Sequence, residues 1–348
     1  MLLIGPLPLK GDAIGGTKVS FAAMADFFAR SLRFSVRVLN TSREERMTAG
    51  AGLRPEDIGV FLRVSAAILL HRPRPDIVVL NISSGALLLA GPPLWLVTRW
   101  RGAPLVLRVF GGDFEASFNR AGAMTRWLAH RTYLRSALIL LQTRSLVDWL
   151  SSRTNARWLP TTRDMPAVQM EEKPCRRLLF LGQLRREKGL KEIAETARAL
   201  PAHFSITIAG PVVDPSVSNL LSSSSLRYVG EVAPRDVPRL LAEHDLLLYP
   251  SYHEGEGYPG VVIEAMQCGV PVIAARWRSL PELVRDGENG LLTKPGSASE
   301  LTAAVTRIAN DPGLYARLSE GARRTGDELR TPRILAELEQ MLAQIAGG

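Results

Sequence analysis

Glu256 and Glu264 stand with seven residues between them, and the stretch that joins them, "EGYPGVVIE", runs from a glycine loop into an apolar helix. A helix N-terminus carries unpartnered backbone N–H groups and the positive end of the dipole, so it suits an anion. Pro259 fits a first helical turn, Gly269 fits a left-handed cap and Pro271 blocks continuation, which bounds the helix at about 259–268. Glu256 then lies in the loop and Glu264 in the second turn, beside the same mouth. Carboxylates accept hydrogen bonds from sugar and ribose hydroxyls, so one on each side of this terminus would grip a nucleotide sugar. Either acid taken alone also reads as an ordinary loop or helix residue.

Three further loops follow strand-like runs. In "FLGQLRREKGL" a strand ends near Gly182, and Arg185, Arg186 and Lys188 crowd the turn before a helix near Gly189. Fixed cations beyond a strand end suit a diphosphate, although charged loops are common. In "KGDAIGGTK", Gly15 and Gly16 at a helix entrance let backbone N–H groups approach a ligand; the spacing is not GxGxxG, and a tight structural turn reads as well. "RVFGGDFE" brings Gly111, Gly112 and Asp113 after another strand, a weak signal by itself. His253 is the one histidine near these loops and reads as a loop residue rather than an acid–base group.

These loops need a scaffold that gathers them. Strand-like runs alternate with helix-like runs from "LLIGPLP" to "ALILLQT", and again from "RLLFLGQL" to "NGLLT". Such alternation predicts parallel sheets with helices on both faces, whose ligands sit at the carboxyl ends of the strands. The polar, proline-bearing stretch around 160–174 reads as an interdomain linker. The expected organisation is an N-terminal domain over 1–165, a C-terminal domain over 175–330, and a helix over 331–348 that packs back toward the first. Ile77–Val97 approaches spanning length, but its serines, glycines and Pro92-Pro93 predict a strand, a loop and a short helix rather than a membrane segment.

The 348 residues exceed one typical hydrophobic core, which agrees with two domains. Two cysteines, Cys175 and Cys268, make no disulfide framework and have no histidine at ligand spacing, so a reducing, cytoplasmic setting without a metal is expected. "MLLIGPLP" lacks a basic n-region and reads as a buried first strand. Charge is uneven: residues 1–175 hold 23 Lys+Arg and 13 Asp+Glu, a net +10, whereas 176–348 hold 20 and 21, a net −1. The first half therefore either faces something anionic or is a solvated arginine-rich surface.

Taken in order, "GPLPLKGDAIGGTKVSF", "LVLRVFGGDF", "LLFLGQLRREKGL", "LLYPSYHEGEGYPGVVIEAMQCGVPVIA" and "PELVRDGENGLL" resemble the retaining GT-B glycosyltransferases of the large family 4 type. The likeness covers the whole chain and is densest from Leu178 to Leu292. It implies an α/β GT-B fold, two tandem Rossmann-like domains facing a central cleft. It also implies sugar transfer from a nucleoside-diphosphate sugar to an acceptor hydroxyl, with no metal or other cofactor. By the same resemblance Lys188 and Arg185 hold the donor diphosphate with Gly182, Glu256 orients the sugar, and Glu264 binds the ribose. Gly257, Tyr258, Pro259 and Gly260 line the sugar and phosphates, the backbone at Val232 meets the base, and Gly15-Gly16 closes on the diphosphate. Gly111, Gly112 and Asp113 are candidates for the acceptor side. Three departures stand out: Gln183 replaces a usual arginine, Phe110 a usual histidine, and "LPTTRD" a segment where asparagine is common.

Those departures keep a non-catalytic nucleotide-binding homologue or scaffold subunit as the alternative. An epimerase or phosphorylase of like architecture would be expected to show a histidine and acids in the cleft. Nucleic-acid binding lacks a stacking platform of aromatics among the basic residues. The basic half offers "RAGAMTRWLAHRTYLRSA", read as one helix bearing Arg120, Arg131 and Arg135 with Trp127, Leu128 and Tyr133. It reads as an ordinary helix with a buried apolar side, or as a helix lying on an anionic leaflet at the inner face of a membrane. The second fits a glycan or lipid-linked acceptor in cell-surface polysaccharide or glycolipid assembly.

Overall fold

A computed structural model describes residues 1–9, 15–42, 55–152, 154–166, 175–221 and 225–347. The chain forms two units, residues 1–161 with 331–348, and residues 162–330.

The first unit runs β1 (Leu2–Gly5), α1 (Gly16–Ala29), β2 (Arg37–Asn40), α2 (Pro55–Leu70), β3 (Val78–Ser83), α3 (Ser84–Trp100), β4 (Leu105–Phe110), α4 (Phe114–Arg120), α5 (Ala123–Arg131), β5 (Leu138–Leu141), α6 (Arg144–Ser151) and β6 (Ala156–Trp158). Its strands pair in the order β2-β1-β3-β4-β5-β6, all parallel. Period-two alternation divides each strand between two cores. Leu2, Ile4, Leu107, Val109, Ile139 and Leu141 face the layer of α2 to α6. Leu3, Val106, Leu138 and Leu140 face the layer of α1 and the C-terminal helix.

The second unit runs β7 (Arg177–Leu181), α7 (Leu190–Ala199), β8 (Ser205–Ala209), α8 (Ser218–Leu221), β9 (Arg227–Tyr228), α9 (Val237–Ala242), β10 (Leu246–Tyr249), α10 (Gly260–Gln267), β11 (Val272–Ala275), α11 (Leu280–Leu283), β12 (Gly290–Thr293), α12 (Ala298–Asn310) and α13 (Pro312–Glu328). Its sheet is again parallel, ordered β12-β11-β10-β7-β8-β9. Leu178, Phe180, Ile206, Ile208, Leu246, Leu248 and Ile273 supply the core of one face. The last helix, α14 (Thr331–Gly347), belongs to the first unit, where Ile334, Leu335, Leu338 and Leu342 pack against Phe21, Met24 and Phe28 of α1. Ser31 donates to Glu339 at 2.5 Å on the same seam.

Three sequence expectations need correction. Ile77–Val97 holds no loop: β3 passes directly into the 17-residue α3, which runs through Pro92 and Pro93. Each proline removes a donor to the preceding turn, and burial of Gly91, Pro92 and Leu94 against Tyr133 and its neighbours outweighs that loss. The basic segment is not one helix either. Arg120 ends α4, Arg131 ends α5, and Tyr133 and Arg135 lie in a following 3-10 turn with the Tyr133 ring fully buried. Finally, the start of the expected linker is packed rather than solvated, since Pro160 to Arg163 are buried. The rest of that stretch, residues 167–174, lies outside the described residues, as do residues 10–14 of the first glycine loop and three of the four serines at 222–225.

Candidate functional site

Parallel strands release their chain at one end of the sheet, so the turn after β7 and the loop after β10 become neighbours. Gly189 makes their approach possible. It adopts φ +80°, and a Cβ there would stand 2.6 Å from the Pro250 carbonyl oxygen. The 3-10 turn just before it, Arg186–Lys188, turns Lys188 toward the second loop.

The Lys188 ammonium meets Glu256 there. Its Nζ donates to Glu256 Oε2 at 2.6 Å and to the Tyr249 hydroxyl at 3.2 Å. Glu256 also accepts from Ser251 Oγ at 2.5 Å and, through Oε1, from the Tyr249 hydroxyl at 3.1 Å. Both charges are nearly out of water, with side chains 13 % and 7 % exposed. Burial first, and the Glu256 charge second, raise the Tyr249 phenol well above its ordinary value, so it stays a donor. Burial and then the Lys188 charge lower the His253 imidazole, which is neutral at neutral pH.

The loop is pinned from behind. Ser279 Oγ donates to the carbonyls of Glu256 and Gly257 at 3.2 and 2.9 Å. Trp277 Nε1 donates to the His253 carbonyl at 2.9 Å, and the Tyr258 hydroxyl donates to Glu282 at 3.0 Å. Pro259 then precedes α10 with φ −70° and ψ 127° and supplies no side-chain cap hydrogen bond. The helix end is thus presented with its dipole unneutralised by any cap.

Glu264, one turn inside α10, does not stand alone. Arg163 Nε donates to its Oε1 at 2.7 Å. The guanidinium lies flat on the first turn of the helix, since a Cβ on Gly260 would fall 2.0 Å from Arg163 Nη2. Arg163 is itself anchored by Nη1 to the Thr162 carbonyl at 2.8 Å and by its own carbonyl, which accepts from Gln267 Nε2 at 2.7 Å. The sequence reading missed Arg163, Tyr249, Ser251 and Ser279. For Arg163 a signal existed: a cation in "LPTTRD", where a resembling chain would carry asparagine nearby.

The remaining expected residues scatter. The Arg185 side chain turns to Gln183, Nε to Oε1 at 3.3 Å, while its carbonyl accepts from the Lys188 backbone N–H at 3.1 Å. Gly182 follows β7, its N–H donating to the Ala209 carbonyl at 3.0 Å. Val232 lines a cavity of about 340 Å³ beneath α9 with Thr207, Arg227, Leu240 and His244, and none of the 182–189 or 253–264 residues lines it. In the first unit, Gly15 caps α1 with open space around it and Gly16 opens the helix. Gly111, at φ +106°, donates to Gln142 Oε1 at 2.9 Å, Gly112 follows it, and Asp113 precedes α4 and accepts from Ser117 at 3.3 Å. Among the described residues no group of three or more His, Cys, Asp or Glu stands together as a metal site.

A parallel sheet flanked by helices in each unit is an α/β architecture of GT-B type. Residues 163–325 match the family described as Glycosyl transferases group 1. The chain is 29% identical over 143 residues to O-antigen chain mannosyltransferase B of Escherichia coli, a match over 38% of this chain and 36% of that one. It is 29% identical over 159 residues to N,N'-diacetylbacillosaminyl-diphospho-undecaprenol alpha-1,3-N-acetylgalactosaminyltransferase of Campylobacter jejuni, over 44% and 40% of the two chains. The matched region is thus less than half the length of either relative. The fold is similar to that of HepE from Anabaena, solved in complex with UDP and glucose, with a TM-score of 0.70, 17% identity and 99% of both chains covered.

Proposed function

We propose that this chain is a metal-independent, retaining glycosyltransferase of the family 4 type that uses a nucleoside-diphosphate sugar. The bond from the anomeric carbon to the leaving phosphate oxygen breaks, and its electron pair stays on that oxygen. The acceptor hydroxyl oxygen bonds to the same face of the sugar, and its proton passes to the leaving phosphate. Lys188 and the N-terminal end of α10 stabilise the growing negative charge, with Arg185 swinging in from its Gln183 contact. Fixed donors aimed at a developing charge are worth roughly 2.7–4 kcal/mol each in comparable sites. Glu256 orients the sugar and Glu264 holds the ribose.

The observation that carries this reading is the Lys188–Glu256 contact of 2.6 Å directly ahead of an uncapped helix end. A cation and a hydroxyl-binding carboxylate are then held in the same small volume as an anion-binding terminus. The names of the two curated relatives, one acting on O-antigen and one on a diphospho-undecaprenol glycan, support a glycan or lipid-linked acceptor in cell-surface polysaccharide or glycolipid assembly.

The test is release of nucleoside diphosphate from a panel of nucleotide sugars, with and without lipid-linked glycan acceptors and with a chelator present. Turnover by the wild type, lost in Lys188→Ala, supports transfer. A second reading, a nucleotide-binding homologue without turnover, is favoured by one observation: both Glu256 and Glu264 are engaged by cations of this chain. Nucleotide binding without release from any donor would select it.

A further inference from the structure

The outer faces of the helices in the first unit are the wrong polarity for a surface meeting only water. On α3, Leu89, Leu96 and Trp100 fall at spacings of seven and four, which places them in one line along the helix. All three are exposed, Trp100 to 80 %. Their neighbours on that face, Gly85, Ala86 and Pro93, carry no charge, and the first charged residue of α3 is Arg99 in its last turn. The opposite side of the helix, Leu87 and Leu94, is already in the core. Thus α3 is apolar on both sides while only one side is covered.

On α5 the same inversion recurs. Met124, Trp127, Leu128 and Arg131 lie at i, i+3, i+4 and i+7, one face, and all are exposed, Met124 to 69 %. Arg131 lies over the Trp127 ring at 5.3 Å. The two helices pack against each other, and α2, on the other side of α3, adds exposed Ile58 and Leu62. Contiguous exposed apolar area on adjacent helices marks an interaction surface rather than scattered exposure.

We infer that this face, the outer sides of α3 and α5 continued by α2, docks the chain onto an anionic lipid surface. Charge decides between occupants. From the start of α2 at residue 55 to residue 135 the chain carries ten arginines, of which Arg108 is buried, against five acidic residues. A second copy would set this face against itself in a two-fold dimer and bring like charge together. Nucleic acid would engage the arginines and leave the apolar rows wet. An acidic bilayer satisfies both: tryptophans and leucines enter the headgroup boundary while arginines meet phosphates. Arg101 holds the His71 carbonyl at 2.9 Å and Arg74 bonds the Gly102 carbonyl, so two guanidiniums gather at the end of α3 beside Trp100. Among the described residues no helix is long and apolar enough to cross a membrane, so α3 lies in the interface plane.

This inference rests on the transferase reading only for its purpose, delivery of a lipid-linked acceptor, and is measured without donor. Vesicles of phosphatidylcholine, with and without phosphatidylglycerol, are floated with the full chain at low and high salt. The expected result is co-flotation with the anionic vesicles alone, weakened by salt. Leu96→Ser, Trp100→Ser and Trp127→Ser each lower the partition coefficient by about tenfold. Arg99→Gln and Arg131→Gln each lower it by about fivefold. These sites are exposed, so each variant is first checked for a wild-type melting temperature and wild-type nucleotide binding. Absence of flotation with any vesicle, or flotation unchanged in the triple serine variant, overturns the inference. Dimerisation that is lost in Trp127→Ser, without vesicle binding, assigns the face to self-association instead.

Discussion

Lys188 Nζ lies 2.6 Å from Glu256 Oε2, although 68 positions separate the two residues along the chain. Both charges are largely buried, and neither has solvent to fall back on if the other is removed. Breaking a buried pair from one side leaves an uncompensated charge, which typically costs 3–5 kcal/mol. Lys188→Met should therefore destabilise the chain by about 3 kcal/mol in urea unfolding. The double variant Lys188→Met with Glu256→Gln should recover much of that loss without recovering nucleotide binding. A single variant as stable as the wild type would mean that the pair is not desolvated.

Gly260 ties stability to binding. Alanine in place of glycine inside a helix ordinarily stabilises by roughly 0.5–1 kcal/mol. Here the added Cβ meets the whole Arg163 guanidinium, 2.0 Å from Nη2, and that group is buried and paired with Glu264. Gly260→Ala should therefore destabilise the chain by about 2–3 kcal/mol through displacement of the pair, and lose about tenfold or more in nucleotide affinity because the helix mouth is disturbed. Calorimetric titration beside a melting curve makes the comparison.

How far the sequence reaches is visible in these residues. The parallel sheets were legible because strands buried on both faces read as continuous apolar runs between helical periods. Glu256, Glu264 and Lys188 were legible because strand ends and a helix start point to the same edge. Arg163 was not, because its partner lies 101 positions away and "LPTTRD" has no local period to place it. The outward Trp100 of α3 was obscured for another reason. Pro92-Pro93 was read as a break where tertiary packing sustains a helix, and Trp127, Leu128 and Tyr133 were placed on one helix, whereas Tyr133 lies in a following 3-10 turn and fills the core.

Burial lowers the His244 imidazole, whose Nδ1 sits 2.7 Å from the Leu240 carbonyl, and it lowers His253 as well. The unfolded chain takes up these protons near the ordinary value of about 6.5, and the folded chain only at lower pH. Stability from these groups is thus complete above that value and falls as pH drops through it toward the folded values. Urea midpoints should decline between about pH 7.5 and about pH 5.5. His244→Gln should show a shallower decline; an unchanged slope would remove His244 from the account.

Burial pushes the Cys175 thiol up to about 12 and the Cys268 thiol up to about 11. Since the thiolate is the reacting form, neither should be labelled by iodoacetamide in the native chain, and both should react in denaturant. Rapid native labelling at one site would show that its part of the C-terminal unit opens readily.

The most direct measurement is thermal unfolding with saturating UDP, GDP, ADP or CMP, on the wild type and on Glu264→Ala. A ligand at about a hundred times its dissociation constant adds roughly 2.7 kcal/mol to the native state. The account predicts that one nucleoside diphosphate raises the wild-type melting temperature and that Glu264→Ala loses the shift. No shift with any of the four, or an equal shift in the variant, would contradict a nucleoside-diphosphate site at the mouth of α10.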